Sequence, residues 1–260
     1  MRFRAFGIII EDNSEYYDFL LTVSKIWSDF SLNLLSGRHK GVRSSASPNR
    51  RNLLWSTIQM ASQIVLTLWL RYRARGVEKL PAAGGALLLI NHQSFLDPLL
   101  VGLPLRRPVS YLARDSLFRV PLLGWLLKRT YVLPISRRGA GSSSIREAIG
   151  RMRQGYLVGI FPEGTRGSVG TLQKFHPGFI ALLRRAEVPV YPVGIAGARE
   201  ALPPGARFVR PARVRVVFGD PFSPEELAQL CQRGQEETLI AIAEERVAAC
   251  VREAERWRRQ

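Results

Sequence analysis

The chain has 260 residues, a formal net charge of +17 and an isoelectric point near 11.0. Its 46% apolar and 23% charged content excludes wholesale disorder, and its length fits one catalytic domain with a terminal extension better than two domains. The excess charge, mostly arginine, suits nucleic acid, an anionic membrane or acidic substrates, but the absence of any RNP, zinc-finger or helix-turn-helix pattern places nucleic acid low. Cys231 and Cys250 show no metal-type pairing and do not suggest a disulfide framework.

In chain order, residues 1–52 read as an N-terminal extension and basic linker, to which no chemistry is attached. Residues 53–70 carry no formal charge and have arginines on both sides, which predicts a membrane-associating helix. Its serines, threonines and glutamines favour an interfacial helix over a bilayer span, and a core helix of the domain stays open. Phe118–Leu127, with Trp125 and basic neighbours, is a second candidate for membrane contact, although a buried helix is the plainer reading.

From Arg71 the chain alternates strand-like and helix-like segments. Strands are predicted at Arg71–Val77, Ala86–Ile90, Val109–Ala113, Tyr131–Ile135, Tyr156–Phe161, Val190–Ile195 and Arg213–Phe218. Helices or turns are predicted at Pro98–Leu105 and Val120–Lys128, from a Ser144–Glu147 capping box to Gln154, and at Pro177–Ala186. Ser223-Pro224-Glu225-Glu226 opens a charged C-terminal helical region, 223–260, with a break near Gly234. The alternation implies an α/β domain over residues 71–222, with a largely parallel sheet flanked by helices and reactive groups in loops at strand ends.

Two such loops carry candidate chemistry. His92 follows the apolar strand Ala86–Ile90, and Asp97 lies five residues on, about 140° away on an ideal helix. The two can meet if His92 sits in the turn before a helix and Asp97 reaches back from its first turn. A carboxylate accepting the imidazole N–H would then leave the outer nitrogen basic. Taken alone, the pair reads equally well as a turn histidine and a helix cap. Glu163-Gly164-Thr165-Arg166 ends another strand; Gly164 allows a tight turn and Arg166 offers a donor fork suited to phosphate, although a plain glycine turn with a surface ion pair is the commoner use. The remaining histidines, His39 and His176, lack ligand-like spacing, so no metal site is expected.

Asn91–Asp97 (Asn-His-x4-Asp), Tyr131–Arg137, Phe161–Arg166 (Phe-Pro-Glu-Gly-Thr-Arg) and Val188–Pro192 occur in that order. In these four blocks, covering about residues 65–220, the chain resembles the glycerolipid acyltransferases of the 1-acylglycerol-3-phosphate acyltransferase type. Ser136, where an acidic residue is often seen, and His176, in a Phe-Lys-x-Gly-like segment, depart from the pattern.

The resemblance implies a glycerol-3-phosphate-acyltransferase-like fold and transfer of an acyl group from a thioester to lysophosphatidic acid, giving phosphatidic acid. It implies His92 as general base and Asp97 as its orienting partner. Arg137, Glu163, Gly164, Thr165 and Arg166 would bind the acceptor, and Pro192 would shape the acyl-side wall. Acyl-CoA or acyl-carrier protein would be co-substrate, with no cofactor, at an anionic membrane surface on the cytoplasmic face. Another acceptor (glycerol 3-phosphate, a different lysophospholipid or a lyso-aminolipid) and a non-catalytic membrane-bound scaffold are the alternatives. No Gly-x-Ser-x-Gly elbow supports a hydrolase.

Overall fold

The structure is a computed structural model that describes residues 60, 66–114, 118, 131–135, 141–166, 172–206 and 208–260. The chain divides into two units, Met1–Ser45 and Ala46–Gln260, and every described residue belongs to the second. Most of the predicted membrane-associating helix 53–70, and nearly all of the apolar stretch 118–128, fall outside the described residues. No helix among the described residues is long and apolar enough to cross a membrane.

Seven strands form one sheet: β1 (Arg73–Arg75), β2 (Ala86–Ile90), β3 (Val109–Arg114), β4 (Leu133–Ile135), β5 (Leu157–Ile160), β6 (Val190–Ala196) and β7 (Arg215–Phe218). Their order is β1-β7-β6-β2-β5-β3-β4. Every neighbouring pair is parallel except β6 and β7. The predicted α/β architecture is therefore present, with one antiparallel pair in an otherwise parallel arrangement.

The central strand explains its own composition. Ala86, Leu88 and Ile90 face one apolar core and Leu87 and Leu89 the other, so both faces are buried and the strand reads as an uninterrupted apolar run. On the first side lie α1 (Asp97–Gly102), α4 (Ala198–Ala201) and the turn carrying Leu66 and Leu70. On the second lie α2 (Gly141–Arg153), α3 (Ile180–Ala186), α5 (Pro224–Leu230) and α6 (Glu236–Arg259). α6 buries Leu239, Ala243, Val247, Cys250 and Ala254, spaced as one helical face. Gly194 of β6 lies directly under it: a Cβ there would stand 2.3 Å from the Cys250 carbonyl carbon.

Local signals differ from the sequence expectation at three places. α2 begins at Gly141, so Ser144 lies inside its first turns instead of capping it. Pro177–Phe179 is a 3₁₀ turn leading into α3. Ser223 does cap α5, its hydroxyl accepting the Glu226 N–H at 3.1 Å, but the Glu226 carboxylate binds Arg246.

Candidate active site

β2 and β5 are adjacent parallel strands, with Leu89 opposite Ile160. Both sequence blocks therefore emerge side by side at the carboxyl end of the sheet, where reactive loops of α/β folds gather. Three side chains hold the loop after β2. The Asn91 amide donates to the Ile195 carbonyl at 3.0 Å and accepts the Ile195 N–H at 2.7 Å, tying the loop to β6. Glu163 accepts the His92 N–H at 2.7 Å through Oε1 and the Gln173 N–H at 3.0 Å through Oε2. Asp97 Oδ2 accepts the N–H groups of Gln93 (2.6 Å) and Ser94 (2.7 Å).

The same Asp97 oxygen lies 2.8 Å from His92 Nδ1. A carboxylate already accepting two amide protons is an acceptor to the ring as well, so Nδ1 carries the proton and Nε2 the lone pair. Asp97 is fully buried, while the His92 side chain is 20% exposed. The imidazole stacks on Phe161, with centroids 4.3 Å apart. Burial pushes the Asp97 carboxyl above its usual range, opposed chiefly by the His92 hydrogen bond. Burial also raises Glu163, opposed by the His92 and Gln173 amides. Behind the pair, Asp97 Oδ1 and the Tyr111 hydroxyl are buried without a protein partner among the described residues.

The second block forms a tight turn. The Gly164 N–H reaches the Phe161 carbonyl at 3.0 Å, with Pro162 and Glu163 between them and Gly164 at φ 67°. A Cβ on Gly164 would also stand 2.9 Å from the His176 ring. Thr165 is exposed, with its hydroxyl 3.3 Å from Gln173 Oε1. The Arg166 guanidinium stacks on Phe95 of the first loop at 3.6 Å from the ring centroid. A fixed cation thus stands beside the histidine loop.

His92, Asp97, Glu163 and Arg166 are brought together; Arg137 lies outside the described residues. Pro192 sits in β6 against Gly219, whose N–H its carbonyl accepts at 2.9 Å. His176 precedes the 3₁₀ turn, its N–H donating to the Pro162 carbonyl at 2.8 Å. Sequence reasoning attached no role to Asn91, Gln173, Phe161 or Phe95. Only Asn91 carried a local signal, a polar side chain placed directly after a fully apolar strand. Asn91→Ala is expected to cost about 2–4 kcal/mol, because it orphans both buried Ile195 backbone groups. Urea unfolding of the variant beside the wild type measures this.

The site can take a proton at Nε2 and hold an anion near Arg166. The amides of His92, Gln93 and Ser94 already face carboxylates, so an oxyanion formed here must draw its donors from elsewhere.

Known proteins resemble the chain in sequence and fold. A family model described as Acyltransferase matches residues 71–196. The 1-acyl-sn-glycerol-3-phosphate acyltransferase of Pseudomonas aeruginosa is 30% identical over 67% of this chain and 71% of its own length. The enzyme of that name from Bacillus subtilis is 27% identical over 71% of this chain and 88% of its own. The chloroplastic Arabidopsis thaliana enzyme of that name is 26% identical, and this chain spans about half its length (54%). The crystal structure of the 1-acyl-sn-glycerophosphate acyltransferase of Thermotoga maritima shares the fold, with a TM-score of 0.64 at 24% identity over 92% of this chain and 94% of its own. With the histidine–carboxylate pair and the arginine-bearing turn side by side at the sheet's carboxyl end, the chain belongs to the 1-acyl-sn-glycerol-3-phosphate acyltransferase family and is an acyltransferase.

Proposed function

We propose that this enzyme moves a fatty acyl group from an acyl-CoA or acyl-carrier-protein thioester to the free hydroxyl of lysophosphatidic acid, giving phosphatidic acid. The observation that carries the reading is the 2.8 Å contact between His92 Nδ1 and a buried Asp97 carboxylate. His92 Nε2 takes the hydroxyl proton as the oxygen attacks the thioester carbonyl. The tetrahedral intermediate then collapses, the C–S bond breaks, and the proton passes to the departing thiolate. No metal or organic cofactor is needed for these steps.

Arg166, with Arg137, is assigned to the acceptor phosphate, for which a guanidinium fork is suited. Glu163 acts differently. With both its oxygens on backbone N–H groups, it positions the histidine loop and Gln173. Gly164 and Thr165 shape the turn that presents Arg166. Substrate and product partition into bilayer, which favours attachment to an anionic membrane surface on the cytoplasmic face.

Two measurements test this reading. Thiol release from acyl-CoA in mixed micelles is expected with lysophosphatidic acid and to be weak with lysophosphatidylcholine or glycerol 3-phosphate; preference for either of the latter would change the acceptor. Arg166→Ala is expected to raise the acceptor KM about tenfold or more, with little change in the acyl-donor KM. Equal effects on both substrates would remove the phosphate role.

A further inference from the structure

Leu66 and Leu70 anchor a short helical turn in the core, joined by the Leu70 N–H to Leu66 carbonyl bond at 2.8 Å. The opposite side of that turn is apolar but exposed: Leu68 is 77% exposed and Trp69 is 51% exposed. The indole N–H of Trp69 donates to the Val209 carbonyl at 3.0 Å, which sets it beside Phe208, itself 82% exposed. Water-facing aromatic and leucine side chains gathered from two separate segments make a patch, not scattered single residues.

The two segments that carry the patch are rich in positive charge. Segments 66–77 and 201–219 contain seven arginines and no aspartate or glutamate. Arg71 and Arg210, close in sequence to Trp69 and Phe208, are exposed there, whereas Arg73, in line with Arg75 and Arg215, and Arg213, which reaches the Arg258 carbonyl, lie toward α6.

The patch also lies at the catalytic end of the sheet. β1 and β7 run opposite to β6, so Arg73 and Arg215, at their starts, stand level with Ala196 at the end of β6. The Ser94 hydroxyl, in the histidine loop, donates to the Leu202 carbonyl at 3.1 Å. The segment 202–210 therefore bridges the active-site loop and Trp69.

We infer that Leu68, Trp69 and Phe208, flanked by Arg71 and Arg210, form a docking surface for an anionic lipid bilayer that seats the active-site end of the sheet at the interface. Aromatic side chains beside arginines suit the headgroup boundary, where the rings bury and the guanidinium groups meet lipid phosphates. The role of the surface rests on the lipid-acylating reading above; its composition and placement do not.

The test uses the full chain and flotation with vesicles of phosphatidylglycerol and phosphatidylcholine, against phosphatidylcholine alone. Wild type is expected to float with the mixed vesicles and to lose binding as salt rises. Phe208→Asp and Leu68→Asp are each expected to weaken binding about tenfold or more. Phe208→Trp retains it. Turnover of a monodisperse short-chain lysophosphatidic acid stays within about twofold of wild type in all three, since none touches the dyad.

Unchanged flotation of both aspartate variants would overturn the docking surface. A purified dimer that Phe208→Asp converts to monomer, with vesicle binding intact, would overturn it in favour of a second copy of this chain. If the acylation reading failed instead, no protein would turn over the soluble acceptor, yet the difference in flotation would persist.

Discussion

His92→Ala is expected to lower kcat/KM by about 10⁴-fold, the upper range for loss of a positioned proton-transfer group, while the protein stays folded. That factor corresponds to about 5.5 kcal/mol of transition-state stabilisation. The fold survives because its supports are in the backbone. The residue 92 N–H keeps Glu163, and Asp97 keeps the amides of Gln93 and Ser94. What is lost is the ring stacked on Phe161 and the donor to Asp97. His92→Gln, which restores a donor but no base, is expected to be as inactive and closer to wild type in thermal stability. Steady-state kinetics with thermal unfolding of both variants separates chemistry from structure.

Asp97→Asn is expected to cost about 10³-fold in kcat while the protein stays folded. Only the amide oxygen fits where Oδ2 now receives three N–H groups, because the NH₂ group would meet them donor to donor. The ring orientation and Nδ1 proton are therefore preserved, and the loss reports the missing negative charge beside the imidazolium formed during transfer. The pH dependence of stability should change as well. Burial raises the folded-state carboxyl above its unfolded value, so ionisation of Asp97 costs stability as pH climbs from the ordinary carboxylate range through the raised one. The neutral amide escapes that cost. Urea unfolding at pH 4 and pH 7 should show Asp97→Asn gaining on wild type toward the higher pH. Asp97→Ala, which orphans all three donors, should be several kcal/mol less stable at both.

The parts legible in the sequence were those set by local chemistry. β2 was read residue for residue because glycines precede an apolar run and Asn91 ends it. A meeting of His92 and Asp97, five residues apart between a strand end and a helix start, was one of two readings open in the sequence, and the two side chains do meet. Non-local features stayed hidden. The antiparallel β6–β7 pair depends on the path of the 197–214 connection, which no periodicity reports. α6 reads as a charged helical region because much of its buried stripe is small (Ala243, Cys250, Ala254), yet it packs closely over Gly194. Glu163 reads in its motif as a group for the acceptor. In the structure its 2% exposure and two backbone bonds face it inward, a role visible only once β2 and β5 are neighbours.

On the proposed mechanism, the pair at the end of β2 drives acyl transfer onto lysophosphatidic acid. Its most direct measurement is transfer of a labelled acyl group from acyl-CoA into phosphatidic acid, followed by mass spectrometry, for wild type and His92→Gln at equal folded concentration. Labelled phosphatidic acid is expected from wild type, and at most about 10⁻³ of that rate from the variant. Near-equal rates from both proteins would remove His92 from the chemistry.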